Sequence, residues 1–358
     1  MQSPASVGAA AVTLETLPAF AAGAIAAAAS VIHQGIPLET LPLAGLDLSV
    51  HGADAAYAVP SRVRLAVRRT GGHATSDAAV LLVSAGQYGF PAPPVLTGTG
   101  SHMRAFEAAL RDTQLRAEYG FDHRLWNIYD TKKRIGVQWT TAPGALPPWE
   151  SGAPLRAFLH WFHADAGRRL VHAGTLGLAG RGALLVGKGG SGKSGTVVAG
   201  LCHGLESVGD DYVLVDASGG RLRAFPVFET LKQDAAGLRR LGISDAIGMG
   251  AGPNWQDKYE FTCRELGKAG LATDLDVRAI LVPRLAGEAH ATRIEPVSRA
   301  RAMLALAPSG LFQMPGERDS GVAVFADIVR ALPCYSLDLG CDPAEVSGCI
   351  AQFLDALP

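Results

Sequence analysis

The chain has little of what would commit it to several common protein classes. Its five cysteines (Cys202, Cys263, Cys334, Cys341 and Cys349) are odd in number and form no C-x-x-C pair. That argues against a disulfide framework and a cysteine-built zinc site, and it points to a reducing cytoplasm. Charge of one sign is equally scarce: 32 Lys and Arg stand against 33 Asp and Glu, a formal net charge of −1. Such a balance gives no support for non-specific nucleic-acid binding. No Lys or Arg occurs before Arg62, so the positive start of a secretory signal is missing. The apolar run Leu17 to Ile32 is alanine-rich and short of a membrane span, so it reads as a docked helix and no membrane partner is expected. No repeat suggests a solenoid.

What is present is a chain of 358 residues, 48% apolar and 18% charged, enough for one large or two ordinary domains with real cores. Strand-like runs occupy Leu46 to Val50, Val63 to Val67 and Ala79 to Val83. Met103 to Tyr119 has helical spacing, with Phe106, Leu110 and Leu115 near one face. Leu125 to Tyr129 and Ile135 to Thr140 read as two strands around Lys132-Lys133-Arg134, a solvated hairpin tip. Gly144 to Pro154 is rich in Gly and Pro and marks the expected boundary. Residues 1–150 then form an N-terminal α+β domain, and residues 151–358 a nucleotide-binding domain. A helix over Pro154 to Ala166 carries His160 and His163, whose spacing suits a packed face better than a zinc site. Further strands are expected at Leu170–Ala173, Val213–Val215, Arg221–Phe225, Arg278–Pro283 and Cys334–Leu339. Helices are expected at Ser298–Ala307, Gly321–Ala331 and Pro343–Leu357.

The most informative stretch is Ala183-Leu184-Leu185-Val186-Gly187-Lys188-Gly189-Gly190-Ser191-Gly192-Lys193-Ser194. It reads as a buried strand, a glycine-rich turn and the first turn of a helix. The turn fits G-x-x-x-x-G-K-[ST], the P-loop or Walker A pattern. Backbone N–H groups must point inward at phosphate oxygens there, and Gly187, Gly189, Gly190 and Gly192 remove the side chains that would obstruct them. Lys193 puts a cation on the outer phosphates, and the Ser194 hydroxyl can ligate the accompanying Mg²⁺. The apolar Thr196-Val197-Val198-Ala199-Gly200-Leu201 continues as a helix, whose positive end adds to the anion site.

His172 precedes Gly187 by 15 residues, and Asp210-Asp211 begins 16 residues after Ser194. A phosphotransferase needs a carboxylate near the metal and a base for the attacking hydroxyl. On this spaced set the chain resembles the HPr kinase/phosphorylase family, in particular the divergent kinases of bacterial peptide-modification clusters, including those acting on lasso-peptide precursors. The resemblance implies an α/β P-loop kinase core akin to phosphoenolpyruvate carboxykinase, ATP and Mg²⁺ as cofactors, and transfer of the γ-phosphoryl to a protein serine. It implies Asp210 as the base, Asp211 on the metal side with Ser194, and His172 beside the base. Gly195 stands where the family carries an acidic residue. Met314-Pro315-Gly316-Glu317-Arg318 is a poor match for its Pro-Gly-Arg-Asn stretch.

The expected protein is therefore a cytoplasmic serine kinase whose acceptor is a small protein or peptide. Its N-terminal domain would recognise that acceptor or cap the site. Lys232 and Lys258 are candidate second phosphate cations, while Arg239-Arg240 reads as exposed helix. A nucleotide-hydrolysing switch, a nucleotide-binding regulatory module and a small-molecule kinase remain alternatives. The oligomeric state is left open, a homo-oligomer included.

Overall fold

In this computed structural model the described residues are 11–35, 38–52, 76–98, 103–247, 252–285, 291–311 and 318–357. The strand-like run Val63 to Val67 and residues Met314 to Glu317 lie outside them. The chain is a mixed α/β protein with eight α-helices among the described residues. It divides into two compact units, the first ending at Asp165 and the second beginning at Ala166.

In the first unit, β1 (Glu39–Leu43), β2 (Leu46–Gly52), β3 (Ala78–Ser84), β4 (Leu115–Gly120), β5 (Leu125–Asp130) and β6 (Ile135–Thr140) build one sheet in the order β1-β2-β3-β6-β5-β4. Neighbours in β2-β3-β6 run parallel and the other pairs antiparallel. Helix α1 (Leu17–Gln34) lies on one face. Its Leu17, Ala21, Ala24, Ile25, Ala28 and Ile32 recur at helical spacing and join Leu81, Trp126, Val137 and Trp139 in one core. By length and composition α1 could cross a membrane, but this buried stripe makes it a core helix. The two buried indoles find acceptors in the proline-rich run: Trp126 Nε1 donates to Pro94 O at 2.9 Å and Trp139 Nε1 to Pro91 O at 3.0 Å.

The expected helix over Met103 to Tyr119 is split. Helix α2 (Met103–Leu110) ends where Thr113 Oγ1 donates to Leu110 O at 2.7 Å and accepts from Leu115 N at 3.0 Å. Leu115, Ala117 and Tyr119 then alternate inward along β4. That period of two suits a strand, and pairing with β5 overrides the helical spacing.

Helix α3 (Arg156–Ala164) covers the opposite face. A Cβ at Gly136 would sit 2.7 Å from the Phe158 ring, so glycine there admits the helix. The Tyr129 and Trp161 rings stack with centroids 6.2 Å apart. These contacts tie α3 to the first unit, so the division falls after the helix and not in the Gly- and Pro-rich stretch before it.

The second unit contains β7 (Arg169–Val171), β8 (Gly174–Leu178), β9 (Arg181–Leu185), β10 (Val213–Asp216), β11 (Arg223–Pro226), β12 (Leu231–Asp234), β13 (Lys258–Phe261), β14 (Leu275–Leu285), β15 (Arg293–Pro296) and β16 (Cys334–Leu339). The long β14 is the hub. It runs parallel to β9 and β16, and its start pairs antiparallel with β11. Strands β10 and β7 extend one side, β8 pairs with β9, and β15 edges β16. Strands β12 and β13 form a separate two-stranded ribbon. Helices cover both faces of the large sheet. Helix α4 (Lys193–Cys202) and α8 (Pro343–Ala356) bury Val197, Val198, Ile350 and Leu354 on one face. Helices α6 (Arg299–Leu311) and α7 (Arg318–Ala331) bury Ala302, Leu306, Phe325 and Ile328 on the other. The short α5 (Ala235–Arg240) follows β12.

Candidate active site

The chain leaves the carboxyl end of the central β9, turns through Gly187 to Gly192 and enters α4. In a layered α/β sheet, that end of the strands is where ligands bind. Gly190 and Gly192 have φ of 77° and 99°, backbone that only glycine adopts without strain. Gly192 is the N-cap of α4, and a Cβ on it would meet Leu339 Cδ1 at 2.5 Å. Gly187 leaves room for Ser191, whose Oγ would lie 2.8 Å from an added Cβ. That hydroxyl is buried with no hydrogen-bond partner.

Lys193 is 7% exposed and folds back over the turn. Its Nζ donates to Gly187 O, and to Lys188 O at 3.2 Å. Burial pulls its ammonium below the ordinary lysine range, while the charges of Asp210 and Asp211 oppose the shift. Lys188, Gly189 and Gly190 are exposed, and Ser194 is half-buried at the start of α4.

The aspartate pair reaches this turn because its loop is stitched to β8. Thr175 N donates to Gly209 O at 3.0 Å, and Val208 N donates to Thr175 Oγ1 at 2.9 Å. Ser207 Oγ lies 3.1 Å from the same hydroxyl and accepts from Gly209 N at 3.0 Å. Gly174 opens the last gap: a Cβ there would press on Val197 of α4 and on the Asp210 carbonyl.

The two carboxylates then diverge. Asp210 is 2% exposed. Burial first, then the charge of Asp211, pushes its carboxyl up to about 6. The Ser194 hydroxyl is near enough to favour the ionised form, yet neither Asp210 oxygen closes a hydrogen bond of normal geometry. Asp211 is held from both sides: His172 Nε2 lies 2.8 Å from its Oδ1, and Lys232 Nζ donates to its Oδ2 at 2.9 Å. Burial works against its charge, but the His172 hydrogen bond and the Lys232 charge outweigh it and hold the carboxyl far below the usual range. Lys232 responds in kind. Burial disfavours its ammonium, and Asp211 more than compensates, leaving it above its ordinary value. The His172 ring packs on Tyr212 with centroids 5.1 Å apart.

Two further residues join the site from the ribbon. Lys258 of β13 is half-buried, and its charge is felt by both Asp210 and Lys193. Gln233 of β12 crowds Gly195, where an added Cβ would sit 3.1 Å from its Nε2. The amide thus occupies the place into which a side chain at 195 would grow. Gln233, Thr175 and Ser207 carry no sequence signal of this role, since their partners are distant in the chain.

Arg239 and Arg240 are exposed on α5, and Lys132 and Lys133 are exposed at a hairpin tip that Asp130 Oδ1 ties by accepting from both their backbone N–H groups at 2.9 Å. His160 and His163 are buried on α3, and Asp165 pairs with Arg116 at 3.1 Å. Among the described residues no group of three or more His, Cys, Asp or Glu could hold a metal ion.

The donor set fits a nucleotide-borne cation. Mg²⁺ takes one or two protein oxygens and completes its shell with phosphate and water. The buried Ser191 hydroxyl, the unpartnered Asp210 oxygens and the two left-handed glycines form a cradle suited to an anion and its metal. Neither a family model nor a curated protein matches the chain. Among solved structures it is similar to the Hpr(Ser) kinase/phosphatase from Coxiella burnetii, at 12% identity and a TM-score of 0.29, over 52% of this chain and 95% of that one.

Proposed function

We propose that this chain is an ATP- and Mg²⁺-dependent kinase of the HPr-kinase-like type that phosphorylates a serine of a small protein or peptide. The observation that carries the reading is Asp210, a buried carboxyl with unpartnered oxygens beside the lysine and serine of a P-loop. ATP·Mg²⁺ supplies the phosphoryl group. Lys193 and the turn from Gly187 to Gly192 hold the phosphates, and Ser194 faces the metal. Asp210 orients the acceptor hydroxyl and takes its proton. A carboxyl raised to about 6 is a stronger base than an ordinary aspartate and is still largely ionised at neutral pH. Asp211, held by His172 and Lys232, would stand on the metal side. The first unit recognises the acceptor, and the protein works in the cytoplasm with neither nucleic acid nor membrane as partner.

Nucleotide affinity and acceptor phosphorylation, both followed across a Mg²⁺ titration, test this. Asp210→Asn keeps the side chain's size and removes its basicity. It is expected to bind ATP as the parent does and to lose about 10²- to 10⁴-fold in transfer. Asp211→Asn is expected to need more Mg²⁺. Parental transfer by Asp210→Asn would overturn the base. Steady ATP hydrolysis with no serine labelled in any peptide encoded beside the gene would replace the kinase by a nucleotide-hydrolysing switch.

A further inference from the structure

The ribbon of β12 and β13 pairs Lys232 with Glu260 and Asp234 with Lys258. Side chains alternate along a strand, so these four project from one face. Lys232 shows where that face points, since its Nζ reaches Asp211 at 2.9 Å. Lys258 is one cross-strand step further along. Its backbone is pinned on both sides: its N–H donates to Asn254 Oδ1 at 3.2 Å, and its carbonyl accepts from Asn254 N at 2.7 Å.

The acids on this face are engaged locally. Asp234 caps α5, accepting from Gly237 N at 2.6 Å, and Glu260 accepts from Asn254 Nδ2 at 2.8 Å. Among the described residues Lys258 forms no ion pair. Lys232 is matched by Asp211 at 2.9 Å. Lys193 and Asp210 feel each other's charge across the P-loop. Lys258, opposite Asp234 in the ribbon, is the cation of this face that makes no ion pair among the described residues, and its field reaches both Asp210 and Lys193. Phosphoryl transfer asks for positive charge where the outer phosphate sits, between the P-loop and the base.

We propose that Lys258 is a second phosphate-binding cation that contacts the outermost phosphate of the bound nucleotide, supplied by the β12–β13 ribbon and not by the P-loop. The inference rests on the nucleotide-binding reading above. It separates Lys258 from Lys232, which already serves Asp211.

The test is calorimetric titration of the full chain with ATP·Mg²⁺ and, separately, ADP·Mg²⁺. Lys258→Met removes a charge-assisted contact that only the longer nucleotide makes. Its ATP affinity is expected to fall about tenfold or more, while its ADP affinity stays at the parental level. Lys258→Arg should restore most of the ATP affinity. A purely structural role would weaken both nucleotides together and lower the melting temperature. Equal losses for ATP and ADP, or no loss for either, overturn the proposal while leaving the P-loop reading intact. Failure of the parent to bind either nucleotide overturns both.

Discussion

In the first unit, Glu118, Asn127, Gln138 and Glu150 line one face of the sheet. Asn127 Nδ2 donates to Glu118 Oε2 at 3.1 Å, and Gln138 Nε2 donates to Asn127 Oδ1 at 3.2 Å. Glu150 Oε2 accepts from Leu155 N at 3.0 Å. Burial pushes the Glu150 carboxyl up to about 7. In the second unit, Asp210 and Lys232 are buried and His172 and Asp211 half-buried, with the opposite arrangement. A full positive charge and an imidazole gather on Asp211, and Asp210 is given no hydrogen bond. The first cluster supplies only neutral donors, and the Leu155 N–H that favours the ionised Glu150 does not offset its burial. The second keeps one carboxylate firmly ionised and leaves its neighbour buried without a hydrogen bond, which costs stability.

The largest expected effect sets the two aspartates against each other. Asp211→Asn should destabilise the second unit by about 3–5 kcal/mol, because Lys232 is left buried without its partner. The native Asp211 contribution is present above the ordinary carboxyl range and is lost as pH falls towards its depressed folded value. Asp210 has the reverse sign. Its folded value of about 6 lies above the ordinary 3.8, so the folded state binds the proton more tightly. Stability then falls as pH rises from the ordinary value through about 6, and the penalty is full above it. Asp210→Asn should therefore melt higher than the parent at pH 7.5. Melting shifts of the same sign for both variants would break the comparison.

Next in size is Lys193→Ala. Losing the phosphate cation should weaken ATP binding about 10- to 100-fold in a folded protein, as read by calorimetry. Unchanged affinity would refute a phosphate-binding role for Lys193. The smallest effect is expected from Glu150→Gln. The Glu150 carboxyl has a raised folded value, so its unit loses stability as pH climbs from about 4.5 through about 7. The amide should flatten that slope and melt higher at pH 8, by about 1–2 kcal/mol. ATP affinity should not move. A change in ATP affinity would mean that this cluster is coupled to the site.

Elements with strong local signals were legible from the chain alone. The apolar run Cys334 to Leu339 is a strand as read, and Pro343 onward is a helix capped by Asp342, whose Oδ1 accepts from Ala344 N at 2.9 Å. Strands β8 and β12 were not legible. Gly-Thr-Leu-Gly-Leu carries two glycines, and Leu-Lys-Gln-Asp has a single apolar residue, so neither shows a strand pattern. Their partners in the sheet and ribbon supply what the local sequence lacks. The Met103 to Tyr119 reading failed for the converse reason: its apolar spacing satisfies a helix, but pairing with β5 makes its second half a strand.

The sequence by itself determined the glycine-rich turn from Gly187 to Gly192, because such a turn is a conformation of consecutive residues. Glycines at 187, 190 and 192 permit that conformation whatever surrounds them. It also placed an aspartate pair and a histidine at suggestive distances. Only the tertiary structure gave the two aspartates different surroundings. Asp211 meets a histidine 39 residues before it and a lysine 21 residues after it, and Asp210 is buried against the P-loop with no hydrogen bond for its oxygens. Adjacent residues of one type have the same intrinsic acidity. What separates them is burial and charge brought from distant parts of the chain, and these exist only once the sheet and ribbon have formed.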